Sequence, residues 1–106
     1  INACPVELQC IVALESLSCN TPAILADQGA LVELIDEGKN GYLFAYPDTD
    51  DLAEKMIRLW QEPIAPEVLR ESARNMIIKK HDVKEVVRQY LALYRRAISN
   101  EQYGKI

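Results

Sequence analysis

The sequence predicts an α/β fold with short parallel strands, helices between them and a helical C-terminal end. Three observations carry this. Two short apolar runs, Ala23–Ala26 and residues 42–45, are bounded by turn residues, as buried strands are. A helix-patterned segment lies between them, and strands joined through a helix pair in parallel. Beyond the second run, three further segments repeat apolar residues at helical spacing.

Each element has its own signal. In residues 8–19, Ile11, Val12, Leu14 and Leu17 suit a helix buried on most of its surface. Asn20-Thr21-Pro22 stops it, since Asn tolerates the left-handed conformation and Pro cannot continue a helix. Ala23–Ala26 is the first strand, and Asp27-Gln28-Gly29 is a loop at its C-terminal end. Leu31, Val32, Leu34 and Ile35 predict a short helix, and residues 36–41 a turn in which Asn40-Gly41 favours positive φ. Residues 42–45 form the second strand. Asp48 or Thr49 caps a helix running to about Trp60, with Leu52, Met56, Ile57 and Trp60 on one face. Pro66 suits the first turn of the next helix, which runs to about Lys80 on a stripe of Leu69, Ala73, Met76 and Ile77. His81-Asp82 breaks it. Asp82 and Glu85 have the spacing of a capping box for a closing helix over residues 83–98. The polar tail after Ser99 is expected to fray.

Bulk properties narrow the function. A chain of 106 residues with 49% hydrophobic and 26% charged residues holds one domain with one core and is not disordered. Two strands are few for a sheet, and the chain begins with Ile1, which suits the tail of a strand. An upstream domain is therefore expected to be missing. No apolar run reaches the roughly 20 residues of a membrane span, and no signal peptide is evident. Cys4, Cys10 and Cys19 are an odd set without C-x-x-C spacing, and His81 is far along the chain. Free thiols in a cytoplasmic setting are expected, with no metal and no cofactor. The net charge of −4 argues against nucleic-acid binding. Yet residues 1–54 carry ten acids and one base, and residues 55–106 six acids and eleven bases. The basic half reads as solvated helix surface, or as a face for anionic lipid at the inner side of a membrane.

One constellation carries chemistry. Glu7 follows Pro5 in a loop before the first helix, and Glu15 lies about two turns inside that helix, roughly 12 Å along at 1.5 Å per residue. Between them a helix N-terminus offers unpaired N–H groups and a positive dipole end, which suits an anion. Carboxylates at both ends with amides between match a nucleotide sugar, whose hydroxyls and diphosphate need acceptors and donors in that order. Asp27, Gln28 and Gly29, at a strand's C-terminal end, and Glu33 are candidate cleft-lining residues. His81 reads as a turn residue between helices. Tyr42, Phe44, Trp60, Tyr90 and Tyr94 read as core or interdomain packing.

The run from Cys4 through Glu7, Glu15 and Asn20-Thr21-Pro22 to Ile24 resembles the E-x7-E region of glycosyltransferase family 4. Asp27-Gln28-Gly29-Ala30, Glu33-Leu34-Ile35 and residues 36–44 are similar to the blocks that follow in that family, in order and at matching spacing. The Asp51 segment and the closing pattern of Val87, Tyr90 and Tyr94 fit as well. The resemblance implies a GT-B fold of two Rossmann-like domains, with this chain the C-terminal part of the nucleotide-sugar-binding one. It implies a retaining hexosyltransferase that moves sugar from a nucleotide sugar to a carbohydrate or lipid-linked acceptor, in glycan, polysaccharide or glycolipid biosynthesis. By that resemblance Glu7 binds donor-sugar hydroxyls, the amides around Gln9, Cys10, Ile11 and Val12 meet sugar and phosphates, and Glu15 binds ribose. No acid/base residue is implied here; the basic residues that grip the diphosphate and the partner domain lie upstream, so this piece alone is expected to be inactive. Gln9, Cys10, Asn20 and Ala30 depart from the family, as does Val83, preceded by Asp82, where an aromatic residue usually begins the last helix. Gln9-Cys10 stands for the usual Phe-Gly, which brings a Cys side chain where Gly lets a ligand approach the backbone. Asn20 replaces a Gly, and Ala30 the second Gly of a pair. The alternative is a non-catalytic α/β interaction module with a degenerate donor site, and Gln9-Cys10 is the feature that favours it.

Overall fold

The computed structural model describes residues 1–99, so the expectation for the tail after Ser99 lies outside the described residues. The order is α1 (Ile11–Ser18), β1 (Ala23–Ala26), a 3-10 helix (Gly29–Leu34), β2 (Gly41–Phe44), α2 (Thr49–Gln61), α3 (Pro66–Leu69), a π-helical stretch (Arg70–Arg74), α4 (Asn75–His81) and α5 (Val83–Ser99). This is the expected α/β architecture. β1 and β2 pair in parallel, with Ala23 opposite Gly41 and Ala26 opposite Phe44. On the other edge of β1, Asn2 pairs in parallel with Leu25. Its N–H donates to Ile24 O at 3.0 Å and its carbonyl accepts from Ala26 N at 3.1 Å. The segment leading to Glu7 is thereby laid along the sheet.

The core forms where α1 crosses the sheet. Cys10, Ala13 and Leu17 meet all of β1, together with Leu31, Phe44 and Ala73. α1 differs from expectation in two ways. It starts at Ile11, not at residue 8, because Leu8 is 95% exposed and no packing holds that turn. It is not buried on most of its surface either, since Ile11 and Val12 are exposed and only Ala13 and Leu17 face inward. Its end follows the prediction. Asn20 takes φ +58, and Thr21 N–H returns to Ser16 O at 3.0 Å. Arg74 Nη1 donates to Ser18 O at 2.7 Å, placing a cation at the negative end of the helix.

α2 begins as the sequence implies. Asp48 Oδ1 accepts from Asp50 N at 2.9 Å and from Asp51 N at 3.0 Å. Asp48→Ala is expected to destabilise the fold by about 1 kcal/mol, read from the urea midpoint, with Asp48→Asn recovering most of the loss. A midpoint that Asp48→Ala leaves in place would show that the cap contributes nothing. The apolar stripe of α2 splits. Leu52 and Leu59 pack on the core, whereas Met56, Ile57 and Trp60 are exposed. The aromatic residues divide likewise: Tyr42 and Phe44 are buried, and Trp60, Tyr90 and Tyr94 are not, so none of these three is core.

The helix expected from Pro66 is present, with Leu69 and Ala73 buried, but its middle is π-helical. The widened stretch lies where Ser72 is tied to the turn before β2. Ser72 Oγ donates to Lys39 O at 2.8 Å, and the fully buried Asn40 donates to Ser72 O at 3.4 Å and to Leu34 O at 3.0 Å. Asp82 caps α5 through Lys84 N at 2.9 Å. The capping box is not closed, because Glu85 is taken by Arg88 at 2.6 Å and Gln89 at 2.7 Å. A guanidinium one turn along outcompetes a neutral backbone N–H. The Arg88 and Gln89 bonds pull the Glu85 carboxyl down to about 2. Among the described residues no helix is long and apolar enough to cross a membrane.

Candidate functional site

Glu7 sits half-buried in the loop between the sheet edge and α1. Its neighbours Val6 and Leu8 point to solvent, 82% and 95% exposed, so side-chain packing on either side does not hold it. What it touches is Asn2, whose Nδ2 donates to Glu7 Oε1 at 3.3 Å. The same Nδ2 lies 2.9 Å from Cys10 Sγ. Cys10 is 3% exposed and belongs to the core cluster. Its sulfur packs at the edge of the core against Asn2, beside the exposed Gln9, Ile11 and Val12.

The α1 N-terminus is open. Cys10, its cap residue, makes no side-chain cap bond, and the first turn contains no acid. Ile11 N–H turns back to Gln9 O at 3.1 Å. Among the described residues, the N–H groups of Val12 and Ala13 take no protein acceptor. Such groups, backed by the helix dipole, attract an anion. Glu15 is exposed further along the same helix and forms no ion pair among the described residues.

The second predicted segment comes up beside the first. Gly29, at φ +52, is close enough to the Glu7 backbone that a Cβ would stand 3.9 Å from Glu7 O. Asp27 ties the end of β1 to the loop after β2, since its Oδ1 accepts from Tyr46 N at 3.0 Å and from Gln28 Nε2 at 3.2 Å. The bond from the Tyr46 backbone, then that from Gln28, holds its carboxyl below the usual range. Gln28 is half-buried beside it. Glu33 lines a depression of about 230 Å³ together with Gln9, Cys10 and His81. The fold therefore joins Gln9 and Glu33, far apart in sequence, and adds His81, which the sequence marked only as a turn. Asn2 was missed as well. Its one sequence signal was the strand-tail character of the residues before the loop. Neither Glu7 nor Glu15 lines this depression, and of the four residues expected to line a cleft only Glu33 does, not Asp27, Gln28 or Gly29.

The arrangement offers an acceptor carboxylate at one end of an uncapped helix, open amides at its start and a second carboxylate along it. The family described as glycosyl transferases group 1 matches residues 3–76. Over 96 residues, 91% of its length, the chain is 29% identical to N-acetyl-alpha-D-glucosaminyl L-malate synthase of Bacillus anthracis, of which it covers 25%. It is 30% identical over 89 residues, 84% of its length, to D-inositol 3-phosphate glycosyltransferase of Saccharomonospora viridis, covering 20% of that protein. It is 30% identical over 93 residues, 81% of its length, to alpha-maltose-1-phosphate synthase of Mycobacterium tuberculosis, covering 24%. The chain thus spans a quarter or less of the relatives it matches. The family match runs from the loop before Glu7, across both strands and into α4, and the chain belongs to the group 1 glycosyl transferases.

Proposed function

We propose that this chain is the donor-binding part of a retaining glycosyltransferase that uses a nucleotide sugar. The observation that supports the reading is the open N-terminus of α1, with Glu7 before it and Glu15 along it. Glu7 accepts hydroxyls of the transferred sugar. The amides from Gln9 to Val12 meet the sugar and diphosphate, and Glu15 accepts ribose hydroxyls. Bond cleavage leaves charge on the departing diphosphate and an oxocarbenium-like sugar. Groups aimed at that charge lower the barrier. A second domain, upstream, brings a carbohydrate or lipid-linked acceptor across the cleft, and the chain alone is inactive. Glycan, polysaccharide or glycolipid synthesis at the cytoplasmic side is the setting this chemistry suits.

The competing reading, a non-catalytic interaction module, leaned on Gln9-Cys10. With Cys10 buried against Asn2, only Gln9 still speaks for it. One titration separates the two. Uridine, guanosine and adenosine diphosphate sugars are added to the full-length protein in a calorimeter. At least one is expected to bind, and Glu15→Ala to weaken it about tenfold, the size of a lost hydrogen bond to a charged group. Binding to none of them, or binding untouched by Glu15→Ala, sinks the enzyme reading.

A further inference from the structure

We propose that Asn2 is a positioning residue for the donor-sugar carboxylate: its amide, fixed to the sheet, sets the direction of Glu7 and keeps Cys10 turned inward. The inference rests on the reading of Glu7 as the ligand of the transferred sugar. It starts from an imbalance in the loop over residues 4–10. Glu7 is flanked by Val6 and Leu8, both directed at solvent, so the loop has little packing of its own to orient a carboxylate. Asn2 has the opposite character. Its backbone is bonded to β1 on both sides, to Ile24 O and from Ala26 N. β1 is buried along its whole length, so Asn2 is anchored on a strand of the core.

The Asn2 side chain then reaches both ends of the loop. Oδ1 accepts from Cys4 N at 2.8 Å, where the loop begins. Nδ2 carries two hydrogens, and two acceptors face it: Cys10 Sγ at 2.9 Å, where the loop ends, and Glu7 Oε1 at 3.3 Å, in its middle. One amide thus satisfies three points of a seven-residue loop. The bond to Glu7 occupies Oε1. Glu7 Oε2 takes no partner among the described residues and is left to accept from a ligand. The bond to Cys10 holds the sulfur at the core, and Cys10 makes no side-chain cap bond to the α1 amides. An aspartate in place of Asn2 has the same shape and keeps the acceptor for Cys4 N, but sets an anionic oxygen against Glu7.

The test compares two ligands on the full-length protein: the nucleoside diphosphate sugar that binds in the panel above, and the same nucleoside diphosphate without sugar. Asn2→Asp is expected to weaken the sugar nucleotide about tenfold and to leave the nucleoside diphosphate within about twofold. A role in folding alone weakens both in parallel, and that result overturns the proposal. Asn2→Ser, uncharged and still a donor, is expected to show the same split at smaller size, and decides the question if Asn2→Asp does not fold. Combining Asn2→Asp with Glu7→Gln restores the bond with donor and acceptor exchanged. This double variant is expected to bind the sugar nucleotide no more weakly than Glu7→Gln alone; additive losses overturn the proposal. If Glu7→Gln weakens the sugar nucleotide but neither Asn2 variant does, the proposal falls and the reading of Glu7 stands. If Glu7→Gln changes nothing, both fall.

Discussion

Gly41→Ala is expected to destabilise the fold by about 3 kcal/mol or more, at the upper end of what overpacking causes. Gly41 is buried at the start of β2, opposite Ala23 of β1. A Cβ there would stand 1.9 Å from Ala23 O, 2.9 Å from Ala23 C and 3.0 Å from Ala23 N. These are backbone atoms of a strand covered by α1, so no flexible tip can swing aside. Either β2 moves away and its pairing with β1 loosens, or β1 is pushed into Leu17 and Leu31, both fully buried. Domains of this size hold roughly 5–15 kcal/mol in all, so the substitution removes a large share. Urea unfolding followed by circular dichroism reads the change. Gly38→Ala is the control: φ is +76 but nothing lies within 4 Å of the new Cβ. Only backbone strain of about 1–2 kcal/mol is then expected. Equal midpoints for the two variants would reject the steric argument. A glycine beside Asn40 reads in sequence as a turn residue; that it is a contact residue shows only once β1 is in place.

The same division separates what the sequence disclosed from what it did not. β1, the Asn20 stop and the Asp48 cap were legible because each is decided within a few residues. An apolar run between turns, a left-handed Asn before Pro22 and a carboxylate two residues before an N–H need no distant partner. The start of α1 was not legible. Leu8 continues the apolar pattern, but nothing in the described chain covers it, so the pattern did not become helix. Glu85 failed as a box partner for a related reason: capping spacing and ion-pair spacing coexist in one segment, and the charged partner won. In the candidate site, Glu7 and Glu15 were visible through their spacing around a helix start. Gln9 and Cys10 were visible as residues but not in direction. Which of them faces out depends on Asn2 and the core, and that is decided by sheet pairing. His81 and Gln9 line one depression only through the docking of α4 near α1, an arrangement no local pattern encodes.

Glu7→Ala in the full-length protein is expected to lower kcat/KM for sugar transfer roughly a hundredfold or more, while leaving the unfolding midpoint nearly unchanged. The magnitude follows from the proposed role. A carboxylate that accepts two sugar hydroxyls loses two hydrogen bonds to a charged group, each about 1.5–3 kcal/mol, and every 1.36 kcal/mol is about tenfold in rate. The loss is expected to fall on donor binding and, more heavily, on kcat. The sugar develops positive charge as its bond to the diphosphate breaks, so a fixed anion beside it is worth more in the transition state than in the bound substrate. Stability is expected to be insensitive because Glu7 lies between two solvent-directed residues and its one side-chain partner, Asn2, remains bonded to Cys4 and Cys10. The contrast with Gly41→Ala is therefore sharp: one variant loses stability without touching the ligand, the other keeps its fold and loses the chemistry. Glu15→Ala should differ again, raising KM through the ribose while altering kcat little. Steady-state kinetics on the variants measures all of this. A Glu7→Ala enzyme within about twofold of wild type would remove Glu7 from the site, since among the described residues no other carboxylate is held by Asn2 at the open end of α1.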